Sequence, residues 1–288
     1  MTQREREVRQ QRFQWPPAPL VEQALVRSAD ESATVTIAPP RGAREYVRDL
    51  WAHFERLVLA PTVMPAGQAM AQYEADAPGL YCERCGGTIG PFEQREFGCG
   101  ACHDQRLRCE RMVRLGAYEG ELAQWVGVLK FQRVRPYGVE LGRRLGAALR
   151  EAGVLEGLPP GGLVVQAVPM SRRRRMGRGI EHAQVIAKAV GAALGAPVAR
   201  GLWRAHRPSQ LDVPAGQREA NVRGTIGLRR NACFSGQRVV LVDDVRTTGA
   251  TIEAAARGVL DMKRGARVAG PRGADSVWGA VVSVTPRD

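Results

Sequence analysis

The chain has 288 residues, more than one small domain needs, and a hydrophobic content of 44% can fill a sizeable core, so two or three modules are expected. Lys and Arg outnumber Asp and Glu by 42 to 29, and the formal charge of +13 creates a field that attracts anions: nucleotides, pyrophosphate, nucleic acid or acidic lipid. No apolar run approaches the roughly 20 residues that span a bilayer, and the start MTQREREVRQQRF has no apolar core of a secretory signal, so a cytoplasmic protein is expected.

Residues 1–43 mix a charged start with WPPAP and PPRG segments and read as a partly ordered arm. Over residues 44–59, Tyr46, Val47, Leu50, Phe54, Leu57 and Val58 recur at helical spacing and predict one amphipathic helix. Residues 1–75 are therefore taken as an N-terminal extension. Next, Cys82 and Cys85 form one CxxC knuckle, Cys99 and Cys102 a second, and thirteen residues separate them. Four thiolates at this spacing can close a tetrahedral structural zinc site with no open position for substrate. Gly86, Gly87, Gly98 and Gly100 permit the tight knuckles that aim backbone amides at sulfur. The other reading, redox pairs or a disulfide framework, suits a leaderless chain poorly. Cys109 and Cys233 have no matching spacing and read as inert thiols, although His103 or Cys109 could stand in as a ligand. A zinc ribbon over residues 76–111 follows.

From residue 112 to 288 the pattern becomes that of an α/β domain. Leu122, Val126 and Leu129 mark a helix after Tyr118-Glu119-Gly120, closed by Lys130 and Phe131. Leu141, Leu145 and Leu149 share one face of a helix over residues 139–151, with Gly153 as its stop. A compact apolar strand over 163–168 ends at Pro169 and is followed by SRRRRMGRG, the most basic run of the chain. Ile180, Ala183, Ile186, Ala187, Val190 and Leu194 then form the apolar face of the next helix, so the basic run is a strand-to-helix loop. Arg172, Arg173, Arg174, Arg175 and Arg178 are candidates to grip pyrophosphate, because guanidinium groups pair bidentately with phosphate oxygens. A nucleic-acid patch and a plain solvated charge run are the alternatives. Further strands are expected near 197–203, over 238–242 and over 277–284, with a loop insertion at 265–275.

The most informative run is VVLVDDVRTTGAT at residues 239–251. A β-branched strand ends in Asp243 and Asp244, a Thr247-Thr248-Gly249 turn follows, and Ala250 opens a helix. Acids at the carboxyl end of a parallel strand, beside a helix N-terminus with unpaired amides, are suited to sugar hydroxyls and a phosphate respectively. The run resembles the type I phosphoribosyltransferase signature for phosphoribosyl pyrophosphate (PRPP). That resemblance implies an α/β parallel sheet flanked by helices, with Asp243 and Asp244 on the ribose 2′- and 3′-hydroxyls. Arg246, Thr247, Thr248, Gly249, Ala250 and Thr251 would surround the 5′-phosphate.

In their order, the paired CxxC knuckles, YEG, LKF, the VP strand, RRRRMGRG, RPSQLDVPAGQREANVRG and the PRPP signature are similar to the ComF family, associated with competence and DNA uptake, and to its GntX-like relatives. Where that family shows an aromatic, Asn and Gln after an RG pair, Arg178-Gly179 is followed here by Ile180, Glu181 and His182. The resemblance makes Arg207, Gln210, Arg218 and Asn221 part of a loop closing over PRPP. It also implies displacement of pyrophosphate from C1, with Mg²⁺, the Arg-rich loop and Lys130 stabilising the departing phosphates. Three roles follow: a phosphoribosyltransferase with an unnamed acceptor, a PRPP or nucleotide sensor without turnover, and a DNA-uptake accessory contacting single-stranded DNA or a helicase.

Overall fold

The computed structural model describes residues 63–90, 93, 98–170, 179–205, 225–260 and 273–286. From Met64 onward these belong to one compact unit, Met64–Asp288. The helix expected over 44–59, the basic residues Arg172, Arg173, Arg174, Arg175 and Arg178, the closing-loop residues Arg207, Gln210, Arg218 and Asn221, and residues 265–272 of the expected insertion lie outside the described residues.

The elements are α1 (Ala66–Ala69), β1 (Arg111–Ala117), α2 (Gly120–Gly127), α3 (Arg135–Glu151), β2 (Leu163–Ala167), α4 (His182–Leu194), β3 (Val198–Ala199), β4 (Leu202–Arg204), β5 (Ile226–Leu228), β6 (Arg238–Arg246), α5 (Ala250–Leu260) and β7 (Ser276–Val284). Among the described residues five strands form one sheet in the order β1-β7-β6-β2-β3, and every pairing in it is parallel. Helices cover both faces, which explains why β2 is buried throughout and β7 at every residue but Ser276. Strand alternation sends Val239 and Leu241 toward Ile252, Ala255 and Val259 of α5, and Val240 and Val242 to the opposite face, where α4 packs. This is the α/β architecture expected from the sequence: a parallel sheet flanked by helices, preceded by the four-cysteine module.

Several boundaries differ from the sequence reading. Helix α3 begins at Arg135 rather than 139 because Pro136 fits its first turn, and it ends where expected, with Gly153 at a φ of 80°. The apolar stretch near 197–203 splits: β3 joins the main sheet, whereas β4 leaves it to pair antiparallel with β5. Strand β6 continues past Val242 to Arg246, held by parallel pairing with β7 as far as Arg246 opposite Val284. Strand β1 was not foreseen at all. Among the described residues no helix is long and apolar enough to cross a membrane.

Segment 73–88 docks on the outer edge of β1. Tyr73 Oη donates to the Leu115 carbonyl at 3.0 Å, the Asp76 amide donates to the same carbonyl at 2.8 Å, and the Met112 amide donates to Glu83 O at 2.6 Å. Arg114, only 2% exposed, donates to Gly86 O at 2.9 Å and Thr88 Oγ1 at 3.0 Å and pairs with Asp76 at 2.6 Å. A charge this deep is tolerated because both Nη atoms are bonded by the docked segment, although the buried Nε has no hydrogen-bond partner among the described residues.

Candidate functional site

The carboxyl end of β6 carries Asp243 and Asp244, and the chain then turns through Thr247, Thr248 and Gly249 into α5. Thr247 and Thr248 are exposed, whereas Gly249 is buried with a φ of 82°. The Ala250 amide donates to Thr248 Oγ1 at 3.4 Å, so the hydroxyl already lies across the start of the helix. Arg246 is buried beneath this turn: a Cβ added to Gly249 would come within 2.5 Å of its Nη2. The sequence expectation grouped Arg246 with Thr247, Thr248, Gly249, Ala250 and Thr251 around one anion; the structure divides them into an exposed pair of threonines and a guanidinium packed under them.

The two acids have different surroundings. Strand alternation directs Asp243 and Asp244 to opposite faces of the sheet edge. Asp243 accepts the Asp244 amide at 2.9 Å, and Asp244 accepts the Val245 amide at 2.7 Å. Lys130 Nζ lies 3.1 Å from Asp244 Oδ1, and both side chains are only 13% exposed. Burial, reinforced by the Asp244 charge, pushes the Asp243 carboxyl up to about 7, against the opposing pull of Lys130 and Arg204. An acid poised near neutrality beside a second acid is a feature of functional sites.

Lys130 reaches this edge from a π-helical turn, Val128–Gln132, that follows α2. A π turn inserts one residue into a helical repeat and so re-aims the side chains after it. Here Leu129 is fully buried, Lys130 meets Asp244 and Phe131 is 60% exposed. Arg133 closes the turn at a φ of 62°. Further along the same sheet edge, a cleft of about 90 Å³ is lined by Val168, Pro169, Glu181, Gln184, Arg200 and Arg229. It is smaller than the several hundred Å³ usual for organic ligands, so it does not define an acceptor pocket.

Cys82, Cys85, Cys99 and Cys102 are all buried, and their Sγ atoms lie within 4.8 Å of one another. The sulfur separations are 3.6 Å for Cys82–Cys102, 3.6 Å for Cys85–Cys99 and 3.8 Å for Cys99–Cys102. A tetrahedron with metal–sulfur bonds of about 2.3 Å has edges of about 3.8 Å, so the set fits a zinc-sized ion. The Gly87 amide donates to Cys85 Sγ at 3.4 Å and the Cys99 amide to Cys82 Sγ at 3.3 Å, the orientation that supports thiolate ligands. The cluster can hold a metal ion such as zinc. His103, paired with Asp104 at 2.7 Å, and Cys109, buried with its thiol pushed up by desolvation, are not members of it.

No protein-family model and no curated protein matches the chain. Among solved structures, the chain is similar to one described as the allosteric regulatory enzyme of purine biosynthesis, with 23% identity, a TM-score of 0.29 and coverage of 50% of this chain and 25% of that one. It is also similar to the protein TT1426 from Thermus thermophilus, with 20% identity, a TM-score of 0.29 and coverage of 51% of this chain and 84% of that one. The chain thus spans a quarter of the first neighbour and most of the second, and its fold is defined by its own strand order.

Proposed function

We propose that this is a ComF-like protein of type I phosphoribosyltransferase fold that binds PRPP and transfers its phosphoribosyl group to an acceptor. The observation that carries the reading is the acid pair at the carboxyl end of the central strand β6, followed at once by an exposed Thr-Thr-Gly turn and the start of α5. Open parallel sheets bind ligands at this edge. Asp243 and Asp244 would accept hydrogen bonds from the ribose hydroxyls. Thr247, Thr248 and the amides at the start of α5 would hold the 5′-phosphate, where donors and the helix dipole favour an anion. On this reading residues 76–111 are a metal-stabilised ribbon ahead of a catalytic domain at 112–288.

The reaction needs no covalent partner from the protein. The C1–O bond to pyrophosphate breaks with its electron pair leaving on oxygen, positive charge develops at C1, and the acceptor's nucleophile supplies the new bond. The chain's contribution is to orient the sugar and keep acidic charge near the forming cation. Carboxylates suit Mg²⁺, but the Lys130 ammonium already serves Asp244, so the side chains of the described residues form no dedicated cage and the ion would be held largely by the ligand's own oxygens. When bound, Mg²⁺ would neutralise charge on the departing pyrophosphate.

Calorimetric titration of PRPP with Mg²⁺ into the zinc-loaded protein tests the reading. Saturable binding is expected, weakened at least about 30-fold by Asp244→Asn through loss of a charge-assisted hydrogen bond of about 2 kcal/mol. Absence of binding by the wild type overturns it. The +13 charge then favours the accessory role, recognised by salt-dependent binding of single-stranded DNA.

A further inference from the structure

Two carboxylates at one strand end are a poor receptor for an anionic sugar phosphate unless their charge is compensated. Lys130 supplies that compensation within the protein itself. Its ammonium sits 3.1 Å from Asp244 Oδ1 with both partners 13% exposed, so the pair is shielded from water and salt far more than a surface ion pair. The contact is built rather than incidental. The π turn keeps Leu129 fully buried and brings the next side chain to the sheet edge, and it ends in Arg133 at a φ of 62°, a conformation that costs a non-glycine residue free energy. Arg133 in turn packs against Gly179, where an added Cβ would lie 3.3 Å from its Nη1. The turn is thereby fixed between the core and the start of the segment leading into α4.

We propose that Lys130 is the internal counterion of the acid pair, a positioning residue that aims Asp244 and makes the site receptive to a phosphorylated sugar. This rests on the phosphoribosyl reading for the ligand, but the counterion role itself does not. It departs from the sequence-based expectation, in which Lys130 faces the departing pyrophosphate. Removing the ammonium exposes two acidic groups to whatever approaches, so affinities for an anion and for a cation must move in opposite directions. A merely structural lysine would shift both the same way.

The experiment is calorimetry of the full, zinc-loaded chain with ribose 5-phosphate and, separately, with MgCl₂, for wild type, Lys130→Met and Lys130→Arg. In Lys130→Met, ribose 5-phosphate is expected to bind about tenfold more weakly and Mg²⁺ about tenfold more tightly, a modest share of the Coulomb energy of close charges in a partly buried site. Lys130→Arg should stay within about threefold of wild type on both. If Lys130→Met does not fold, Lys130→Gln replaces it. Parallel changes in the two affinities, or an unchanged or undetectable Mg²⁺ affinity in the variant, overturn the proposal. Should wild type bind no ribose 5-phosphate, the phosphoribosyl reading fails, and the Mg²⁺ arm decides the counterion role alone: tightening upholds it and no change refutes it.

Discussion

Asp243 exposes a conflict between site and stability at the level of one carboxyl group. Folding raises its pKa from an ordinary 3.8 to about 7, through burial first and the Asp244 charge second. The folded state therefore binds this proton more tightly than the unfolded chain does. Its contribution to stability is greatest below about pH 4 and is lost as pH rises toward 7. Asp243→Asn should consequently raise the melting temperature at pH 8 and leave it unchanged below pH 4, the gain being bounded by about 4 kcal/mol, since a tenfold change in proton affinity is worth about 1.4 kcal/mol. Thermal melts of both proteins at pH 3.5 and pH 8 check this, and equal melting temperatures at pH 8 would refute it. If the same variant loses PRPP, the residue is kept for binding at the expense of the fold. These acids were legible in the sequence because strand, acid pair and turn are contiguous in VVLVDDVRTTGAT. The environment that separates them was not: Lys130 is remote in the chain, and its approach depends on a π turn that leaves no periodic trace.

At the scale of elements, what could be read was whatever followed one hydrophobic period. Helix α4 and the buried runs of β2, β6 and β7 did so, and they stand where expected. Strand β1 did not, because Arg111 and Arg114 interrupt RMVRLGA and read as surface, whereas Asp76, Gly86 and Thr88 arrive from outside the strand to bond the Nη atoms of Arg114. Strands β4 and β5 are three residues each, too short for any pattern. The turn after β6 was legible by type, yet its support was not: Gly249 is needed both for its φ of 82° and for the Arg246 side chain packed against it. Gly249→Ala places a Cβ at 2.5 Å from Nη2 and imposes a left-handed conformation on a residue with a side chain. It should cost about 1–2 kcal/mol in urea unfolding from the backbone alone. Because Arg246 must shift, phosphate affinity should fall with stability; a stable variant with full affinity would show that the turn is not held from below.

Among the described residues of the whole molecule, polar contacts join the segment beside the cysteine cluster to the edge of the sheet. The four cysteines form their own small cluster with Ile89 and Leu107, while Arg114, Asp76, Glu83 and Gly86 tie the adjoining segment to β1. Cysteine spacing made the metal site readable but carried no information on where it docks. If the knuckles position Gly86 and Thr88, loss of metal withdraws acceptors from a guanidinium that is 2% exposed, and leaving such a charge poorly paired costs about 3–5 kcal/mol. For a unit of this size that corresponds to a drop of roughly 10 °C in melting temperature. Elemental analysis should find one zinc per chain, and chelation or Cys85→Ser should lower a single melting transition by about that amount. The decisive control is Arg114→Met. In zinc-loaded protein it should be strongly destabilising, and in metal-free protein it should add little, because the interaction it removes is already broken. Additive losses, or a separate low-temperature transition that leaves β1 amides protected from exchange, would instead make the module an independent unit beside the sheet.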